Sequence, residues 1–259
     1  MGAAEPIFVR LSDQHAAVAV RATGPDDVPR AVGALRLPGP CPVVAVIGGA
    51  AGLDAGQADR IGAVFAGTIA PAIRAHGAIA VDGGTDSGVM RLLGRARAAG
   101  DPFPLVGVAA LDTVHFPGHR GGNPDAAPLE ANHSHFVLVP GARWGDEAAA
   151  LARVASALAG RCPSVTVLVN GGEISLDDAA RSLAESRPLL VLAGTGRAAD
   201  QIAAAATDPA SPHDPRAAAI ARSPLVRIVA ITDHAATAEA LNTALTPRPH
   251  TEGSFPPPP

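Results

Sequence analysis

From Val43 onward the chain alternates short apolar runs with stretches of helical period, and this rhythm constrains the fold more than any other feature. Val43-Val44-Ala45-Val46-Ile47 is followed by a helical stretch over 55–76, with Ile61, Val64, Phe65, Ile69 and Ile73 at offsets of 3, 4, 8 and 12. His76-Gly77 ends it, glycine being favoured just past a helix. The pattern repeats with a strand at 78–81 and a helix at 87–99, then a strand at 105–109. Strand 135–139 precedes helix 145–159, and strand 165–169 precedes helix 177–185, where Ser175 reads as the N-cap with Asp178 three residues on. Strand 189–192, helix 198–206, helix 217–222, strand 226–231 and helix 235–245 complete it. Runs that are apolar on both faces belong in a parallel sheet covered on both sides. With right-handed crossovers the predicted class is α/β, a Rossmann-like doubly wound, mainly parallel sheet with helices on both faces.

The chain before Val43 is less regular. Residues 16–20 form a candidate strand and 26–35 a short helix, with Pro25, Pro29, Pro38 and Pro40 breaking any longer element. Residues 112–132 show no period, and a loop that long in a compact domain is functional or disordered. No internal repeat or composition shift marks a second domain, so 1–246 is read as one domain and the Pro-rich 247–259 as a disordered tail. Hydrophobic residues are 47% and aromatics 3%, so the core must be built from Ala, Val, Leu and Ile.

The net charge of −4 lacks the clustered Lys and Arg of a nucleic-acid binder, so no nucleic-acid partner is expected. No apolar run approaches the roughly 18–20 residues of a membrane span, and no charged-then-apolar signal opens the chain. No membrane partner is therefore expected, and the expected location is the cytoplasm. Cys41 and Cys162, each just before a proline, read as ordinary thiols of a reducing compartment.

Ligands of open parallel sheets bind beyond the carboxyl ends of the strands. Four of those ends carry glycines: Gly48-Gly49, Gly83-Gly84, Gly171-Gly172 and Gly194-Thr195-Gly196. Glycine lets the backbone approach a phosphate, and a helix N-terminus beyond it offers N–H groups and partial positive charge. No Gly-x-Gly-x-x-Gly fingerprint and no P-loop is present. Glu147 and Asp86 are carboxylates near strand ends, not paired by sequence. His115, His119, His133 and His135 fall within 21 residues, but no Cys or Asp completes a metal set, and no metal is expected. Ser134 lacks the Gly-x-Ser-x-Gly elbow of a nucleophile.

Three segments form a recognisable set: Gly83-Gly84-Thr85-Asp86-Ser87-Gly88-Val89-Met90, Asn132-His133-Ser134-His135-Phe136-Val137-Leu138, and Gly194-Thr195-Gly196-Arg197-Ala198-Ala199-Asp200. In this order and spacing, over about 40–205, the chain resembles the SLOG domain at the cytosolic N-terminus of melastatin-type TRP channels, above all its free-standing bacterial relatives. The resemblance implies a Rossmann-like fold that binds nucleotide-derived ligands such as ADP-ribose, with no other cofactor required. It implies that Gly83, Gly84 and Thr85, with Ser87 and Gly88, approach the ligand. Gly194, Thr195, Gly196 and Arg197 would hold the diphosphate, Arg197 through its bidentate fork. Trp144, the only Trp, falls where some channels have a Tyr-Gly pair whose ring lies against adenine. Arg143 and Arg153 flank the helix where a channel arginine also reaches the phosphates. The wider superfamily includes nucleotide phosphoribohydrolases with a Pro-Gly-Gly-x-Gly-Thr-x-x-Glu signature. The matching stretch here, Asp82 to Met90, lacks the Pro, the Gly-Thr order and the Glu, leaving Asp86 as the substitute.

The leading expectation is a nucleotide sensor or carrier, with homodimers expected by analogy. The alternatives are a hydrolase of an N-glycosidic or pyrophosphate bond, with Asp82, Asp86, Glu147 and His135 as acid–base candidates, and a protein-interaction module with a vestigial site.

Overall fold

The computed structural model describes residues 5–49 and 52–247. Two strands, β1 (Ile7–Arg10) and β2 (Ala16–Arg21), and the short α1 (Val28–Ala34) open the chain. Then come β3 (Val43–Gly48), α2 (Ala55–Val64), α3 (Ala70–Ala75), β4 (Ile79–Asp82), α4 (Gly88–Ala98) and β5 (Leu105–Ala110). Two residue pairs, β6 (Val114–His115) and β7 (Ala127–Pro128), precede β8 (His135–Val139) and α5 (Ala148–Ala159). The remainder is β9 (Ser164–Val169), α6 (Glu173–Ala184), β10 (Leu189–Ala193), α7 (Arg197–Thr207), α8 (Pro215–Ala221), β11 (Val226–Ala230) and α9 (His234–Leu245).

One sheet takes the order β1-β2-β8-β5-β4-β3-β9-β10-β11, parallel throughout except for β1 against β2. The chain steps outward from β3 through β4 and β5 to β8, then returns to the other side of β3 for β9, β10 and β11. The connections after β3 and β9 therefore leave in opposite directions, and the crevice between those neighbours is the switch point of a doubly wound sheet.

Both faces of the central strands are buried, which is why they read as unbroken apolar runs. Val43, Ala45 and Ile47 face one layer with Val154 of α5 and Leu176 of α6. Val44 and Val46 face the other, with Ile61, Phe65 and Leu93. The predicted helix over 55–76 is continuous but widens into a π turn at Phe65–Ile69. Ile61, Phe65, Ile69 and Ile73 recur every four residues and are all buried. A four-residue spacing overruns the 3.6-residue period, and the wider turn brings the stripe back to the core. Asp54 caps this helix in a capping box with Gln57, at 2.7 and 3.1 Å.

One local expectation needs correction. Helix α6 begins four residues before the predicted 177, at Glu173, with Gly172 rather than Ser175 as N-cap. Ser175 lies inside the first turn and is buried. The edge strand β1 was not legible, since only Val9 of its residues is buried. The aperiodic 112–132 segment is ordered cover: Val114 and Leu129 bury against Ala109, Phe136 and Leu138 on one sheet face. Of the Pro-rich tail, 248–259 lies outside the described residues. No described helix is long and apolar enough to cross a membrane.

Candidate functional site

A cavity of about 600 Å³ opens at the carboxyl ends of β3 and β9, at the switch point. Its floor is strand β3, from Val46 to Gly49. A Cβ on Gly48 would sit 2.1 Å from the Val169 carbonyl oxygen, so only glycine allows β3 and β9 to stay this close at their ends.

The second glycine loop supplies Gly83, Thr85 and Ser87 to the wall. It is pinned from three sides. The Asp86 N–H donates to the Pro128 carbonyl at 2.8 Å, and the Glu130 N–H to the Gly84 carbonyl at 2.9 Å, which ties the loop to the 112–132 segment. The same segment lends Asp125 and Ala127 to the lining. The Val89 N–H, in the first turn of α4, donates to the Gly49 carbonyl at 3.1 Å. From beneath, Asp82 accepts from the Gly84 N–H at 2.7 Å and from His133 Nε2 at 2.8 Å, while His133 Nδ1 meets Glu130 at 2.8 Å. Burial alone opposes charge on His133, but Asp82 and then Glu130 outweigh it and the imidazole is pushed up to about 9. It is a fully buried imidazolium between two carboxylates, stacked 5.3 Å from Phe136.

The opposite wall comes from the turn before α5 and the start of α6. Trp144, Glu147 and Leu151 line it, with Glu173, Ile174, Ser175 and Asp178. Glu173 is drawn away to Arg216. Glu147 accepts from the Gly145 N–H at 3.0 Å. Burial pushes its carboxyl up, partly offset by its own backbone N–H and then by that of Gly145. Burial, then the Glu147 carboxylate beside it, push Asp178 up to about 7. Two carboxylates 31 positions apart in sequence thus meet in one cavity because α5 and α6 pack side by side against the same sheet face.

Arg197 closes the mouth. Its Nη2 lies 2.6 Å from where a Cβ on Gly172 would stand, so that glycine makes room for the guanidinium. Arg197 holds a left-handed φ of 53°, a conformation that costs a non-glycine residue and persists only where the surroundings fix it. The fixing contacts are the Ala198 N–H to the Gly171 carbonyl, 3.1 Å, and the Ala199 N–H to the Asn170 carbonyl, 3.0 Å.

Of the residues singled out in the sequence, Gly48, Gly49, Gly83, Thr85, Ser87, Trp144, Glu147, Gly172 and Arg197 share this cavity. Gly84, Gly88, Gly171, Gly194, Thr195 and Gly196 do not line it. Gly84 packs against Gly107 and Phe136, and a Cβ on Gly171 would strike Ser175. The Gly194 and Gly196 N–H groups, expected to hold a diphosphate, donate instead to Asp200 at 2.6 and 3.1 Å. The Thr195 hydroxyl donates to the Leu192 carbonyl and accepts from the Asn170 N–H, both 2.7 Å. Asp86 is turned outward to Arg91 at 2.6 Å. His135 opens β8 level with Val106, Val81 and Ala45, three residues below Gly48 and so roughly 10 Å short of the site. Burial, then Arg97, push it down to about 4. Arg153 pairs with Asp26 at 2.5 Å, and Leu151 is what its helix presents to the cavity; Arg143 is exposed near Asp146. Among the described residues no group of three or more His, Cys, Asp or Glu is arranged to hold a metal ion.

The profile of the family described as "SLOG in TRPM, prokaryote" matches residues 41–240, a span that begins two residues before β3 and ends within α9. The transient receptor potential cation channel subfamily M member 2 of Mus musculus is 25% identical over 205 residues, covering 65% of this chain and 14% of the channel. Its Rattus norvegicus counterpart is 25% identical over 209 residues, covering 66% of this chain and 14% of the channel. The chain thus spans a small fraction of the length of these curated relatives. A solved structure titled as the X-ray structure of TM1055 superposes with a TM-score of 0.48 and 19% identity, covering 76% of this chain and 98% of that one.

Proposed function

The chain belongs to the prokaryotic SLOG-in-TRPM family, and from that premise we propose that its switch-point cavity binds a nucleotide derivative of the ADP-ribose or NAD class. The observation that carries this reading is Arg197, held over Gly172 at the mouth of a cavity whose lining also contains the chain's only Trp. A guanidinium engages phosphate oxygens through its planar fork, and an indole face takes a base by stacking. The volume of about 600 Å³ suits a ligand of nucleotide size. Strand-end glycines and the uncapped N-terminus of α6 at Gly172 favour the phosphate end. The Gly194–Gly196 loop is left out of the phosphate site, since Asp200 already fills its donors.

The test is a thermal-shift series with ADP-ribose, cyclic ADP-ribose, NAD and AMP on the wild type and on Arg197→Ala. A ligand at about 100 times its Kd stabilises by about 2.7 kcal/mol, a rise of several degrees. The expected outcome is a rise with at least one of the four. Arg197→Ala should lose it through an affinity drop of about a hundredfold, while its ligand-free Tm stays close to wild type. No rise with any of the four overturns the reading.

A second reading, hydrolysis of the bound nucleotide, is favoured by one observation: Glu147 and Asp178 are neighbouring carboxylates with raised pKa values in the same cavity. Ligand recovered intact after prolonged incubation with the enzyme-concentrated protein excludes it.

A further inference from the structure

The cavity lining contains two chemically different groups of neighbours. Arg197 beside Gly172, at the amino terminus of α6, is one. Trp144, Glu147, Ile174 and Asp178 are the other, with Ile174 of α6 packing 3.4 Å from a Cβ position on Gly145. The second group is acidic and underused by the fold. Among the described residues Asp178 makes no side-chain hydrogen bond, and Glu147 accepts only from backbone N–H groups, its own and that of Gly145. The other charges nearby are directed elsewhere or set beyond it. Asp177 reaches Arg216 at 3.3 Å, Asp146 bonds the Ala142 and Arg143 N–H groups at 3.0 Å, and Arg181 only partly offsets the charge on Asp178. A half-buried carboxylate without a donor is costly, and a ligand hydroxyl supplies what the chain does not.

Resting on the binding reading above, we propose that Glu147 and Asp178 read the free 2′,3′-diol of the ligand's base-bearing ribose, and that the cavity thereby rejects nucleotides phosphorylated on that ribose. Trp144 stands three residues before Glu147, so a base against the indole places its own ribose beside the pair. Burial raises the pKa of both carboxyls and so favours their protonated forms, and a carboxyl group can donate to or accept from the hydroxyls of a vicinal diol. A phosphate at the 2′ position brings about two negative charges against the pair, with Asp125 of the 112–132 segment as a further anion in the lining. Arg197, with the phosphate role proposed above, does not discriminate between the two forms.

Calorimetric titration of the full chain with ADP-ribose and with its 2′-phosphate separates these roles. The wild type should bind the 2′-phosphate at least about thirtyfold more weakly. Glu147→Gln with Asp178→Asn should narrow that gap to under about threefold, since the amides keep hydrogen-bonding capacity and lose the charge. Asp178→Asn alone, which keeps Glu147, should narrow it part of the way and reads the same ratio if the double variant fails to fold. Arg197→Ala should weaken both ligands by the same factor and keep the gap. Equal wild-type affinities, or a gap that survives the carboxylate substitutions, overturn the ribose-reading role while leaving nucleotide binding standing. Failure of both ligands to bind the wild type overturns the binding reading and this inference with it.

Discussion

The loops after β4 and β10 each join a glycine-bearing strand end to an eleven-residue helix, and in each a carboxylate accepts from glycine N–H groups, yet only one of them opens onto the cavity. After β4 the carboxylate is Asp82, fully buried beneath the loop, and Gly83, Thr85 and Ser87 remain on the cavity wall. After β10 it is Asp200, in the first turn of α7, which takes both the Gly194 and Gly196 N–H groups. The chain's own anion sits where a phosphate would have to go. Glycine at a strand end therefore signals a sharp turn in both cases. Whether that turn becomes a ligand wall depends on which side of it the internal carboxylate occupies.

The largest effect that tests this contrast lies under the β4 loop. His133 is raised from 6.5 to about 9 in the folded chain, so its stabilisation is fully present below about pH 6.5 and is lost as pH rises through about 9. Wild-type Tm should fall over that window by the equivalent of about 2–3 kcal/mol. Asp178, raised from 3.8 to about 7, contributes stability that is lost as pH rises through about 7, so melts between pH 8 and 10 read mainly the histidine. Asp82→Asn removes one of the two carboxylates that hold the charge and should flatten the fall. Parallel profiles for wild type and variant would mean that the imidazolium does not steady this loop.

The β10 loop predicts a smaller loss. Asp200→Ala leaves two N–H groups without their charged acceptor, but Gly194 is exposed and water can replace part of what is lost. The cost should be about 1–2 kcal/mol, or about 2–8 °C in Tm for a chain of this size. The variant also vacates the donors. If phosphate then protects Asp200→Ala and not the wild type, the carboxylate was occupying an anion position; a Tm equal to wild type would show that these bonds contribute nothing.

How much of this could be read in advance follows the same division between local and non-local causes. The central strands were legible because residues such as Val43, Val44, Val106 and Val191 are buried on both faces and so form unbroken apolar runs. Strand β1 was not, because Phe8 is 83% exposed and an edge strand needs no such run. The start of α6 was misplaced because Ser175 has the chemistry of a cap, while Gly172 lets the chain enter the helix earlier. In the site, Arg197 and Trp144 stood out by type and position. Asp178 did not, since nothing in sequence joins it to Glu147; the packing of α5 beside α6 does. Asp200 carried a signal that went unused: an acid in the first turn after Gly-x-Gly is placed to satisfy that turn's own N–H groups.

The smallest expected effect is the sharpest on the open loop, because it separates space from stability. A Cβ on Gly83 would lie 3.8–3.9 Å from Met90, an ordinary contact, and Gly83 is not among the residues with positive φ. Its neighbour Gly84 has a φ of 70° and a Cβ there would stand 2.8 Å from the Gly107 Cα, so the two adjacent glycines are kept for different reasons. Gly83→Ala should change ligand-free stability by no more than about 0.5 kcal/mol. The added methyl nevertheless enters the cavity that Gly83 and Met90 line together, so affinity for ADP-ribose should drop by about threefold to tenfold. A stability loss comparable to a core substitution would assign Gly83 to packing, as with Gly84. An unchanged affinity would place the ligand away from the β4 loop, against the Arg197 and Trp144 side of the cavity alone.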